Sequence, residues 1–112
     1  MNLSQRNKNP GNLRFAKQKE ATGEEHGFAV FPSHPAGWRA LVAQIRLDQK
    51  RGLTISQFVS KYAPPSENDT NDYLTFVCKQ LKELPDKLLI EISIYALAGI
   101  IAAREGYFAK EA

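Results

Sequence analysis

From residue 33 onward, apolar positions repeat at three- and four-residue intervals, whereas the first 32 residues carry only short apolar runs among turn-forming residues. In SHPAGWRALVAQIRLDQKRG (33–52), Trp38, Leu41, Val42 and Ile45 fall on one helical face. Ser33 can cap the free N–H groups of the first turn, Pro35 needs no N–H there, and Lys50, Arg51 and Gly52 suit the other end. A helix over about 34–51 is predicted. TISQFVSKYAPP (54–65) predicts a shorter one, about 54–62, with Ile55, Phe58, Val59 and Tyr62 on one side and the proline pair ending it. In SENDTNDYLTFVCKQLKEL (66–84), Asp69 or Thr70 can cap a helix of about 69–83 whose period runs through Tyr73, Leu74, Val77, Gln80 and Leu81.

The last segment allows two readings. It can form one long helix from Asp86, or a short extended piece, LLIEI, followed by a helix of about 93–108 capped by Ser93; the second is preferred. In both, residues 94–103 are apolar almost all round, as expected of a helix at the centre of a small domain. Near the N-terminus, NLRFAKQ (12–18) and GFAVFP (27–32) are aromatic or β-branched runs flanking the charged stretch KEATGEEH. They predict two strands of a long-looped hairpin over about 12–32. The expected class is α+β, mainly helical, with the C-terminal helix buried.

A length of 112 residues allows a single domain, 1–112, with one core. The formal charge is +3, and Arg6, Lys8, Arg14, Lys17 and Lys19 all precede the first acid, Glu20. Such a face suits a polyanion or an anionic cell envelope, although a plain solvated surface has the same composition. Cys78 is the only cysteine, so no intrachain disulfide can form, and its apolar helical setting suits a structural thiol. Two histidines and one cysteine match no metal-ligand spacing, and no cofactor is expected. The N-terminal MNLSQRNKNPG lacks the apolar core of a secretory signal, and the longest apolar run is about half of what spans a bilayer. A soluble protein is expected.

Candidate chemistry centres on Glu105, in AAREG at the end of the most apolar helix. Partial burial and the negative end of the helix dipole both disfavour its carboxylate. A carboxylic acid kept protonated near neutral pH can serve as general acid in glycoside cleavage, while the same Glu at a fraying helix end would do nothing. Glu67 and Asp69 precede a helix, where the dipole and free N–H groups favour the ionised form; Asp69 also reads simply as an N-cap. One raised and one ordinary acid form the pattern of a two-carboxylate glycosidase. Asn9, Asn12, Arg14, Tyr62, Asn68 and Tyr73 are of the types that bind and stack on sugars, and equally of the types that build turns and cores.

RNKNPGNLRF (6–15), GFAVFPSHPAGWRAL (27–41) and YAPPSENDTNDYL (62–74) resemble, in this order, three signature blocks of a family of small phage and prophage proteins commonly labelled virion structural proteins. Those blocks look like parts of a lysozyme-like, peptidoglycan-cleaving domain. The asparagine-rich turn is similar to the segment after the catalytic Glu in bacterial glucosaminidases, and YAPPSENDTNDY is similar in layout to the Tyr-containing loop and helix of lytic transglycosylases. In those enzymes the Glu-bearing helix precedes the hairpin, whereas here it comes last, as though circularly permuted. The family's His-Glu-Asn-Gly ending stands here as Arg104, Glu105, Gly106 and Tyr107.

The resemblance implies a lysozyme or lytic transglycosylase acting on peptidoglycan strands. Glu105 would be its acid, Glu67 or Asp69 the charge stabiliser, and Asn9, Asn12, Arg14, Tyr62, Asn68 and Tyr73 the groove. It implies a place in a virion, or in the bacterial cytoplasm before assembly or release. A non-catalytic virion or wall-binding module of the same fold, touching other virion proteins, is the alternative. Nucleic acid ranks last, because no helix carries a basic reading face.

Overall fold

The computed structural model describes residues 1–66 and 69–110. Among them are five α-helices and one two-stranded antiparallel sheet, in the order α1 (Leu3–Arg6), β1 (Gly23–Glu25), β2 (Phe28–Val30), α2 (His34–Lys50), α3 (Ile55–Tyr62), α4 (Thr70–Leu81) and α5 (Ile94–Arg104). A single 3₁₀ turn, Leu89–Glu91, links α4 to α5. The class is α+β, as expected, and the radius of gyration of 13.3 Å suits one folded unit of this length. No described helix is long and apolar enough to cross a membrane.

Helix starts follow local chemistry. The side chains of Ser33, Thr54, Asp69 and Ser93 each accept from the backbone N–H three residues on, and Thr54 completes a capping box with Gln57. The ends follow less simply. Helix α5 stops at Arg104 rather than at 108, because Gly106 adopts a left-handed φ of +82° and the N-terminal segment takes over the last carbonyls. Asn2 donates to Gly106 O at 2.9 Å, Ser4 to Glu105 O at 3.2 Å, and Gln5 to Tyr107 O and Ala109 O at 3.2 and 2.6 Å. Helix α1, which the apolar pattern does not reveal, forms through an Asn2–Gln5 capping box and joins the two ends of the described chain.

The hairpin is tighter than predicted. GFAVFP does supply a strand, but its partner is Gly23–Glu25, inside the stretch expected to be loop, and the turn is His26–Gly27 with both φ positive. NLRFAKQ contributes only an Arg14–Phe28 bridge, with Ala29 N donating to Leu13 O at 2.9 Å. The reason is Asn9. Its side chain accepts from Leu13 N at 2.9 Å and donates to Leu13 O and Ala29 O at 3.0 and 2.9 Å, so it occupies the place a neighbouring strand's backbone would take.

The core gathers Leu41 and Ile45 of α2, Ile55, Phe58 and Val59 of α3, Tyr73 and Val77 of α4, and Leu97 and Ile101 of α5. LLIEI is extended only at its ends, Leu88, which bridges Thr54, and Ile92; between them the 3₁₀ turn carries Leu89 into this core, and Gln49 of α2 donates to Leu89 O and Ile92 O. Helix α5 buries Leu97, Ala98, Ile101 and Ala102 but leaves Tyr95, Ala96 and Ala103 at the surface, so it is central on one face only. Two glycines set the asparagine-rich turn against this body. A Cβ on Gly37 would collide with the backbone oxygen of Lys8, and one on Gly11 would lie 2.5 Å from the Tyr62 hydroxyl.

Candidate active site

Glu105 sits where α5 ends, and its side chain turns back into the protein. Tyr73, reaching over from α4, donates its hydroxyl to Glu105 Oε2 at 2.7 Å, and the Asn12 amide lies 3.4 Å from Oε1. The Tyr73 ring is buried against Tyr62, with centroids 6.3 Å apart. Arg104 places its guanidinium 5.4 Å from the Tyr73 centroid and 5.5 Å from that of Phe76, beside the carboxyl but not bonded to it. Burial pushes the Glu105 carboxyl above its usual range, and the Tyr73 and Asn12 hydrogen bonds and the Arg104 charge offset this only in part. The same enclosure, with the nearby Glu105 charge, drives the phenols of Tyr62 and Tyr73 upward, so both remain neutral donors.

Asn12 is held in a left-handed conformation, φ +48°, that its side-chain amide tolerates better than most. Its Oδ1 is buried and accepts from no donor among the described residues. Asn12 and Tyr62 line a groove of about 370 Å³, together with Arg14, Asp48, Arg51 and Lys61. Arg14 lies over the Phe28 ring at 4.5 Å. Glu105 does not line this groove itself; it stands one layer behind, across Asn12.

Of the residues predicted for the site, Glu105, Asn12 and Tyr73 therefore meet directly, with Tyr62 beside them and Arg14 along the groove. The packing gives the remaining residues other places. Asn9 is fully buried and every polar atom of its side chain is engaged by the backbone of Leu13 and Ala29, so it shapes the site without facing it. Tyr73 is 1% exposed and acts on Glu105 rather than on a ligand, and the Tyr62 hydroxyl is likewise taken, by Gly11 O. Asp69 accepts from Asp72 N at 3.0 Å as the cap of α4 and makes no contact with Glu105 among those described. Glu67 and Asn68 lie outside the described residues.

One cluster escaped the sequence reading. Asp48 is 1% exposed; its Oδ1 receives Lys61 Nζ at 2.6 Å and Arg51 Nη1 at 3.0 Å, and its Oδ2 receives Gln44 Nε2 at 3.0 Å. The available signal was its phase, because Asp48 continues the buried stripe of Leu41 and Ile45, where an acid requires partners. Burial alone would raise the Asp48 pKa, but Lys61, Gln44 and Arg51 together hold it below the usual range. Among the described residues, no group of three or more His, Cys, Asp or Glu gathers as a metal site would need.

No known protein-family model matches the chain, and no curated protein matches it.

Proposed function

We propose that the protein cleaves the glycan strands of peptidoglycan, with Glu105 as general acid on a lysozyme-like domain of the phage-associated family its motifs resemble. The carrying observation is the Glu105 carboxyl at the end of the central helix, enclosed, raised in pKa and oriented by Tyr73 and Asn12. The contacts of α1 with the segment after α5 also support the reading. They set the asparagine-rich turn beside the end of the Glu-bearing helix, the adjacency a circularly permuted lysozyme-like domain requires.

In this scheme Glu105 gives its proton to the glycosidic oxygen as the bond from that oxygen to the anomeric carbon breaks, and the bonding pair leaves with the oxygen. Either water or a hydroxyl of the same sugar then bonds to the anomeric carbon and returns a proton to the Glu105 carboxylate. Where no second carboxylate stands close to the anomeric carbon, the sugar's own hydroxyl attacks and an anhydro product results, as in lytic transglycosylases. Arg14 and the ring of Tyr62 would line the glycan groove, which Asn12 connects to the acid. The place of action would be a phage particle, or the bacterial cytoplasm before assembly or release.

The test is release of muropeptides from purified peptidoglycan by the wild type and by Glu105→Gln. The expected loss in the variant is about 10²–10⁴-fold, the usual worth of a general acid. No release by the wild type from several wall chemotypes would remove the reading, and undiminished release by Glu105→Gln would remove the acid. A second reading, a non-catalytic virion or wall-binding module in contact with other virion proteins, is favoured by one observation: Glu105 stands behind Asn12 instead of lining the groove. Wall binding without release would select it.

A further inference from the structure

Among the described residues, the groove wall sets two cations, Arg51 and Lys61, around one carboxylate, Asp48. Asp48 lies beneath Lys61 and Arg51 and bonds both, while their side chains remain 46% and 49% exposed. A lysine ammonium has three donors and an arginine five, so each retains N–H groups beyond the one given to Asp48. A buried acid that fixes two half-exposed cations presets an anion site, because little side-chain freedom is left to lose when an anion arrives. The surplus positive charge then faces the groove.

The groove also continues. Gln18, Gln44 and Leu47 line it and line an adjoining hollow of about 570 Å³ as well, so the two form one trough along α2. One end begins at Asn12 and Tyr62, next to Glu105. At the far end Arg39 is locked to Glu20 by bonds of 2.7 and 2.6 Å, with Lys19 at the rim and Ala40, Ala43 and Leu47 along the floor. Cations spaced along an apolar floor suit a largely neutral polymer with acidic groups at intervals. A polyanion with a phosphate at every step would need a continuous basic track.

We propose that Arg51 and Lys61, fixed by Asp48, form a subsite for the lactyl and stem-peptide carboxylates that project from a peptidoglycan strand, with the strand lying in the α2 trough. This rests on the glycan-cleaving reading above and adds what that reading leaves open, recognition of the acidic side groups. Carboxylates bound by paired cations gain both in affinity and in attraction from a distance.

The experiment uses the Glu105→Gln protein, so that ligands stay intact, and calorimetry with three oligosaccharides of equal length. One is a muropeptide with free carboxyls, one the same compound with its carboxyls amidated, and one a neutral chito-oligosaccharide. The free-acid form should bind about tenfold more tightly than the amidated form at low salt, with the advantage shrinking as salt rises. The added changes Arg51→Gln and Lys61→Gln should remove that advantage, bringing the free-acid and amidated forms to equal affinity. The comparison of free and amidated ligands needs no second variant, so it stands even if those changes unfold the protein. Equal affinity for the two forms overturns the subsite while leaving the glycan reading intact, and absence of binding by all three overturns both. With single-stranded DNA as a fourth ligand in the same calorimetry, tighter binding of DNA than of either muropeptide overturns the subsite in favour of a phosphate ligand.

Discussion

Asp48 and Glu105 are both withdrawn from water, and their surroundings push them in opposite directions. Asp48 lies on the buried stripe of α2, with two cations and an amide on its two oxygens, and its acidity is strengthened. Glu105 lies at the end of α5 with a phenol and an amide as its bonded partners, and one cation nearby that makes no bond; its acidity is weakened. Enclosure alone therefore does not decide protonation; the charge of the bonded partners does. One carboxyl is favoured as an anion and organises cations; the other is disfavoured as an anion.

That contrast can be broken by substitution. After the loss of cleavage in Glu105→Gln, the largest effect is expected at Asp48. Asp48→Asn removes a charge-assisted set of bonds beneath Lys61 and Arg51 and should cost about 2 kcal/mol of stability at pH 7, measured by urea unfolding. Because the folded pKa of Asp48 is depressed, its contribution is present above the ordinary value of 3.8 and fades as pH falls through the folded pKa. The gap between wild type and variant should close in acid. A gap that stays constant with pH would mean that the cluster works by shape and not by charge.

Glu105→Gln should move stability the other way. A raised carboxyl favours folding below its ordinary value of 4.5, and that advantage is lost as pH rises through the folded pKa. Glutamine does not ionise and can still accept from Tyr73, so the variant should be more stable than wild type at pH 7, measured by urea unfolding. The two curves should converge below the ordinary value. A Glu105→Gln protein less stable than wild type at neutral pH would show an ionised, well-satisfied Glu105, and the contrast with Asp48 would disappear.

The smallest effect concerns Arg104, which opposes the upward push on Glu105 without bonding to it. Arg104→Gln should shift the Glu105 titration further upward, followed by carbon-13 NMR of the labelled carboxyl. High salt should reduce the difference between the two proteins, since Arg104 is exposed.

The helices were legible in the sequence because their signals are local. Ser33, Thr54, Asp69 and Ser93 cap helices whose apolar faces can be counted off directly, and α2, α3 and α4 begin and end within two residues of the spans predicted for them. The position of Glu105 at the end of the central helix was legible for the same reason. The hairpin partner was not, because Asn9 fills a strand's place and releases NLRFAKQ from pairing, and a buried asparagine in a turn reads the same as an exposed one.

The sequence by itself thus determined which segments are helical and that an acid closes the most apolar of them, since capping and periodicity act between residues at most a turn or two apart. Only the tertiary structure decided what surrounds that acid. Tyr73 stands 32 residues away and Asn12 stands 93 away, and Asp48 finds Lys61 across a helix boundary. Such meetings depend on how packed helices bring distant polar groups together, and no local pattern records the charge of the partner that arrives.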